Sequence, residues 1–111
     1  MSDSDFPIDP DDCRPQDPLP EGYVARELMI INRKGLHARA TAKLVQCIET
    51  FESEVLVSRC GETVNGTSIM GILTLGAGPG STIRVAAKGK DAEALLAAVT
   101  KLIGDRFGED E

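Results

Sequence analysis

Apolar residues along this chain alternate between the spacing of a strand and the spacing of a helix. Thr82–Lys88 alternates apolar and polar residues, and this period of two predicts a half-buried strand. Ala38–Phe51 and Ala92–Ile103 repeat apolar residues every three or four positions, as amphipathic helices do. Each of these helices has a single apolar side, which it can bury only by packing on one face of a shared layer.

The remaining segments complete the element order β-α-β-β-α-β-α. Ser68 or Thr67 is a suitable N-cap for a short apolar helix, Asp91 is suited to cap the last helix, and Gly104 fits its end. The order predicts an α+β fold, a small sheet with its helices packed on one face. We predict strands at Val24–Asn32, Glu54–Ser58, Glu62–Asn65 and Thr82–Lys88, and helices at Ala38–Phe51, Ile69–Leu75 and Ala92–Ile103.

The negative charge belongs to the N-terminal segment. Residues 1–22 contain seven acidic residues and one basic residue, which accounts for the whole formal net charge of −6, and five of the six prolines. This composition offers too little apolar surface to offset the entropy of ordering, so we predict a disordered acidic leader. A domain at 23–108 follows, and 109–111 form an acidic end. The domain contains 11 basic and eight acidic residues and is therefore mildly basic.

Composition also excludes several classes of function. An acidic chain with 4% aromatic residues lacks the basic, stacking surface of a nucleic-acid binder. The sequence contains neither the ~20-residue apolar run of a membrane span nor a signal peptide, so we expect a cytoplasmic protein with no membrane partner. One histidine and three dispersed cysteines do not form a zinc site, and we expect no metal and no cofactor. The odd number of cysteines favours reduced thiols.

The only histidine, His37, stands between a glycine turn and the start of a helix. A helix N-terminus exposes N–H groups and about half a positive charge, which attracts anions and disfavours imidazolium. We therefore expect a neutral, nucleophilic imidazole, with phosphoryl oxygens held by the amides of Ala38 and Arg39 and by the Arg39 guanidinium. A surface histidine beside a basic turn is the alternative. Four basic residues lie within six positions of His37, namely Arg33, Lys34, Arg39 and Lys43.

Two motifs resemble those of a known family. Gly35-Leu36-His37-Ala38-Arg39 resembles the active-site motif of HPr, the histidine phosphocarrier of the phosphoenolpyruvate-dependent phosphotransferase system. The segment 65–73 resembles the family's second motif, around a regulatory serine, and the 31 positions from His37 to Ser68 match the family's spacing. The resemblance covers about residues 24–107. It implies an open-faced β-sandwich, in which three helices cover one face of a four-stranded antiparallel sheet.

The resemblance also implies roles for single residues. His37 would accept a phosphoryl group on Nδ1 from enzyme I and pass it to an EIIA-type protein, while Arg39 would neutralise the phosphate. Ser68 would be the site that HPr kinase phosphorylates in some bacteria. The chain would be a monomeric relay rather than an enzyme that turns over a small molecule. An apolar docking surface would consist of Ala42, Ile69, Met70 and Leu73, among which we expect Met70 to be exposed.

One residue departs from the family pattern, and some alternatives stay open. Ala40 stands where the family usually has proline, which leaves φ less restricted but adds an N–H donor, so we expect a slightly looser site with an unchanged role. The alternative function is a regulatory binding module switched by phosphorylation of Ser68; an anion-binding domain without a relay is a third. The segment 32–35 and the acidic end resemble the nitrogen-related form of the family, whereas the Ser68 region resembles carriers under kinase control.

Overall fold

The computed structural model describes residues 15–110. Its elements follow the predicted order: β1 (Val24–Met29), α1 (Ala38–Glu49), β2 (Glu54–Arg59), β3 (Glu62–Asn65), α2 (Ile69–Thr74), β4 (Thr82–Lys88) and α3 (Ala92–Gly104). The bounds of β3 and β4 match the prediction, whereas β1 ends at Met29 rather than Asn32 and α1 at Glu49 rather than Phe51. A short 3₁₀ turn at Arg106–Gly108 was not predicted.

The sheet has the strand order β1-β4-β2-β3, and every neighbouring pair is antiparallel. Alternate residues of β4, namely Ile83, Val85 and Ala87, are fully buried, as their alternation predicts. The apolar stripes of α1 and α3 complete the same core, to which they contribute Leu44, Ile48, Leu95, Leu96 and Val99. The open-faced α+β sandwich is therefore confirmed.

The other face of the sheet is contacted by residues that precede β1. Arg84 of β4 donates a hydrogen bond from its guanidinium to the carbonyl oxygen of Asp17, at 2.7 Å. The backbone N–H of Gly61 donates to Oε1 of Gln16, at 3.3 Å. Residues 16 and 17 of the leader thus have defined contacts with the domain. The leader predicted to be disordered spans residues 1–22, of which residues 1–14 fall outside the described residues.

Two details differ from the sequence-based expectations. Asp91 occupies the N-cap position of α3 but its side chain makes no capping hydrogen bond; it accepts instead from the N–H of Glu52, at 2.9 Å, and from the hydroxyl of Ser53. Cys60 is disulfide-bonded, so the expectation of reduced thiols is wrong for this residue, whereas Cys47 is a free thiol.

Within residues 15–110, none of the helices combines the length and the apolar character that crossing a membrane requires.

Candidate functional site

A tight turn places the histidine at the start of α1. The N–H of Gly35 donates to the Asn32 carbonyl oxygen at 3.1 Å, and Nδ2 of Asn32 donates back to the Gly35 carbonyl oxygen at 2.9 Å. Gly35 has φ +68, and a Cβ atom there would lie 2.8 Å from Cα of Gly78, so the position requires glycine. The next residue, Leu36, is buried and donates its N–H to the Ala77 carbonyl oxygen at 2.9 Å. The loop before β4 therefore supports the turn.

His37 is the N-cap residue of α1, with φ −77 and ψ 179. Its carbonyl oxygen accepts the first helical hydrogen bond, from the N–H of Thr41 at 2.9 Å. No side chain caps this end of the helix, and no described residue accepts a hydrogen bond from the N–H of Ala38 or Arg39. The helix start that the sequence predicted is thus present, with backbone donors that point outward from the first turn.

Glu109 contacts the imidazole of His37 from one side. The sequence did not predict this contact. Nε2 of His37 lies 2.5 Å from Oε2 of Glu109, and the two side chains are 28% and 19% exposed. Oε1 of the same carboxylate accepts a hydrogen bond from Nδ2 of Asn32 at 2.9 Å. The hydrogen bonds from Asn32 and His37 hold the pKa of Glu109 below its ordinary value. Nδ1 of His37 has no hydrogen-bond partner among residues 15–110.

The turn that follows α3 brings Glu109 to the histidine. Arg106 and Phe107 both have φ 56, in the left-handed region, and reverse the chain direction. The Phe107 side chain is buried in the core, and its carbonyl oxygen accepts a hydrogen bond from Nζ of Lys43 at 2.6 Å. The sequence predicts that residue 109 belongs to a separate acidic end. The sequence offered one signal for the contact between Glu109 and His37, which is that the negative charge of Glu109 is opposite to that of the basic residues near His37. Charge alone does not predict this contact.

The basic residues singled out in the sequence share one groove with the histidine. Arg39 is exposed there and forms no hydrogen bond or ion pair with any described residue, so its guanidinium is available to an anion. Lys43 lies one turn further along α1 and faces the same groove. The basic residues that line it are Arg33, Lys34, Arg39 and Lys43, as the charge pattern indicated. The carboxylates of Glu109 and Asp110 line the groove as well, so four basic side chains face two acidic ones, and the positive excess attracts anions.

The second motif forms the start of α2. Ser68 is the N-cap residue, and its hydroxyl oxygen accepts a hydrogen bond from the N–H of Gly71 at 3.0 Å, as predicted. Met70 is 72% exposed and Ile69 40%, whereas Ile72 points into the core. The expectation that Met70 is exposed is confirmed. The other two residues of the expected docking surface, Ala42 on α1 and Leu73 on α2, are half-buried, and the two helices pack against each other.

The chain thus combines a small open-faced sandwich with a single histidine that stands at a helix start, in a groove lined by basic residues. Residues 24–105 match the family model described as the PTS HPr component phosphorylation site. The chain belongs to this HPr family of the phosphotransferase system. The curated members it resembles are named phosphocarrier proteins, and the family implies interaction with enzymes of that system.

Individual relatives cover most of the domain. The phosphocarrier protein HPr of Cupriavidus necator is 48% identical over 86 residues, which are 78% of this chain and 97% of that protein. The phosphocarrier protein NPr of Shewanella violacea is 37% identical over 84 residues, 76% of this chain and 92% of that protein. A crystal structure of HPr from Thermoanaerobacter tengcongensis superposes with a TM-score of 0.76 at 38% identity, and the match covers 79% of this chain and 99% of that one.

Proposed function

We propose that this protein is a phosphoryl relay in which His37 accepts a phosphoryl group on Nδ1 from enzyme I and passes it to an EIIA-type protein. The observation that supports this most strongly is the unequal use of the two ring nitrogens. Nε2 contacts Glu109, whereas Nδ1 has no partner among the described residues, at the start of α1. A neutral imidazole nitrogen with a free lone pair is a nucleophile near neutral pH.

The transfer step needs positioning and charge compensation more than covalent assistance. The Nδ1 lone pair attacks the phosphorus of the donor phosphohistidine, a new N–P bond forms, and the electron pair of the broken N–P bond returns to the donor ring. The N–H groups of Ala38 and Arg39 and the Arg39 guanidinium are suited to hold the phosphoryl oxygens, because none of them is used elsewhere in the described residues. The same groups remain available when the phosphoryl group leaves for the acceptor.

Labelling with phosphoenolpyruvate tests this proposal directly. Incubation of the protein with enzyme I and ³²P-labelled phosphoenolpyruvate should give a label that acid removes, as expected of phosphohistidine. Because the chain has one histidine, His37→Ala should abolish the label completely. Ser68→Ala is the matched control and should be labelled at the wild-type level. No acid-labile label on the wild-type protein would overturn the relay.

The surface that meets the partners is proposed to include Ala42, Ile69, Met70 and Leu73. The exposed side chains of Ile69 and Met70 support this, since two neighbouring exposed apolar residues on one short helix are typical of a contact surface. Met70→Lys should raise the KM of enzyme I for this protein and leave the fold intact. An unchanged KM would remove Met70 from the surface. The family's own partners, the cytoplasmic location and the monomeric state stay predictions for this chain.

A second function is regulation through Ser68, which we propose as a substrate for HPr kinase with ATP as the phosphoryl donor. A phosphate on Ser68 would add nearly two negative charges next to the exposed Ile69 and Met70, where it would repel an acidic partner face and would have to be desolvated against an apolar one. Incubation with HPr kinase and ATP should give an acid-stable label that Ser68→Ala abolishes. A binding module that uses Ser68 alone would acquire only this label, whereas a relay acquires the acid-labile one as well.

The branch of the phosphotransferase system can be decided by the acceptor. Relatives of similar coverage include proteins named HPr and one named NPr. We propose a nitrogen-type or carbon-regulatory role rather than sugar uptake. Residues 32–35 and the acidic end resemble the nitrogen-related form, and the Ser68 region resembles carriers under kinase control. In the nitrogen-type role the phosphorylated protein should transfer faster to a nitrogen-type EIIA than to a sugar-type EIIA, and the reverse order would contradict that role.

A further inference from the structure

We propose that Asn32 and Glu109 are positioning residues that fix the tautomer of His37, so that Nδ1 carries the lone pair. The proposal rests on the relay function, which it deepens. It concerns a contact outside the family comparison, because the family model ends at residue 105 and Glu109 lies beyond it. Three observations carry it: the approach of the carboxylate to Nε2, the orientation of the Asn32 amide, and the lack of a partner at Nδ1.

A carboxylate can only accept hydrogen bonds, so the ring nitrogen that faces it carries the proton. Oε2 of Glu109 lies 2.5 Å from Nε2 of His37, which makes Nε2–H the donor. In a neutral imidazole the lone pair is then on Nδ1, because the hydrogen bond of one ring nitrogen determines the state of the other. The carboxylate thereby selects the nitrogen that reacts.

Asn32 determines where this carboxylate lies. Its side chain is fully buried, and Nδ2 donates to both the Gly35 carbonyl oxygen and Oε1 of Glu109, each at 2.9 Å. The reversed amide would place Oδ1 against two acceptor oxygens, so only the observed orientation is compatible with both contacts. The amide belongs to the turn that precedes His37. The same turn therefore positions both the imidazole and the group that orients it.

The contact is also suited to the phosphorylated state. When Nδ1 attacks phosphorus, the proton stays on Nε2 and the ring acquires a positive charge, so no proton has to leave the site. The Glu109 carboxylate is already hydrogen-bonded to Nε2 and compensates that charge without rearrangement. Preorganised compensation of this kind should increase the rate of transfer to His37.

Glu109→Gln tests the proposal, because it keeps the shape of the side chain and changes its hydrogen bonding. If the glutamine oxygen accepts from Asn32, its amide nitrogen faces Nε2 and favours the opposite tautomer, with the proton on Nδ1. ¹⁵N NMR of the full-length protein, recorded where the imidazole is neutral, distinguishes the tautomers. The wild type should show one tautomer, protonated at Nε2, whereas Glu109→Gln should show a population protonated at Nδ1 and phosphorylation slowed by about tenfold.

Asp110→Asn is the matched control, because it removes one negative charge from the next residue, which is exposed in the same groove and forms no hydrogen bond or ion pair with a described residue. It should leave the tautomer unchanged. A single Nε2–H tautomer in Glu109→Gln and in Glu109→Ala would overturn the proposal, whatever the transfer rate. The NMR measurement needs no enzyme I, so failure of the relay proposal, seen as an unlabelled wild type, is distinct from failure of this one. The amide spectrum of each variant reports whether it is folded.

Discussion

Lys43 of α1 donates a hydrogen bond from Nζ to the carbonyl oxygen of Phe107, at 2.6 Å. The contact joins the helix that begins at His37 to the turn that presents Glu109. Phe107 is buried and anchors this turn in the core, whereas its carbonyl oxygen is hydrogen-bonded to Lys43, which lines the groove. The orientation of the histidine therefore depends on how the end of the chain packs against α1.

Removing the Lys43 ammonium should loosen this end of the chain. Lys43→Met keeps the apolar stem and removes the donor, so the N–H groups of Gly108 and Glu109, which bond to Asp105 and Arg106, should open more often. Hydrogen exchange measured by NMR should show faster exchange at these two amides, by about fivefold for a hydrogen bond of ~1 kcal/mol. Lys101→Met, on an exposed position of α3, should not change them. Equal exchange rates of these two amides in Lys43→Met and Lys101→Met would show that Lys43 does not hold the turn.

The contact between Glu109 and the turn should be lost in acid. The pKa of Glu109 is lowered from its ordinary value of 4.5 by hydrogen bonds from Asn32 and His37. Because this pKa is lowered in the folded protein, the ionised Glu109 carboxylate contributes fully to the free energy of unfolding above the ordinary value. The contribution is lost as the pH falls through the lowered pKa. The Asn32 Nδ2–H resonances should shift as the pH falls through this lowered pKa in a titration followed by NMR. In Glu109→Gln that transition should be absent; its persistence would assign it to another group.

Arg39→Ala should slow phosphoryl transfer and leave the fold intact. The guanidinium is exposed and forms no ion pair within the described residues, so its removal costs little stability. A charge-assisted contact to a phosphoryl group accounts for a factor of about 10 to 100 in rate. Stopped-flow measurement of transfer from phosphorylated enzyme I gives the effect, and Lys101→Ala serves as a control for charge removal. A rate equal to that of the control would exclude Arg39 from the mechanism.

Ser68→Ala should lower the free energy of unfolding by about 1 kcal/mol, because the N–H of Gly71 loses its acceptor at the start of α2. Ser81→Ala makes the same substitution in a loop where the hydroxyl has no hydrogen bond with the described residues, and it should cost less. Urea denaturation followed by circular dichroism measures both. Equal stabilities of the two variants would show that the cap contributes nothing.

Asp91→Asn should lower the free energy of unfolding above pH 4 and make it depend less on pH in acid. The N–H of Glu52 and the hydroxyl of Ser53 lower the pKa of Asp91 from its ordinary value of 3.8. Its stabilisation is therefore present above that value and is lost as the pH falls through the lowered pKa. Denaturation measured at pH 6 and at pH 2.5 should give a smaller difference for Asp91→Asn than for the wild type or for Asp105→Asn. An equal difference would contradict a role for Asp91 in acid unfolding.

Several features of the site were predictable from the sequence because short-range interactions determine them. The glycine turn, the start of α1 at Ala38 and the Ser68 cap follow from the backbone preferences and hydrogen-bonding capacity of neighbouring residues. The alternation in Thr82–Lys88 predicted the buried face of β4, because a strand has a period of two. The motifs added the proposed role of His37, which its basic surroundings alone left undecided.

The tertiary structure alone decided which groups hold the imidazole of the histidine in place. Glu109 lies 72 residues from His37 along the chain, and its position depends on the length of α3, on two left-handed residues and on the Lys43 contact. Asn32 reads as a polar residue at the end of a strand, but folding buries it and turns its amide toward the carboxylate. Asp91, expected to cap α3, contacts Glu52 and Ser53 instead. Local sequence determines how each element forms, whereas these long-range contacts depend on how the elements pack.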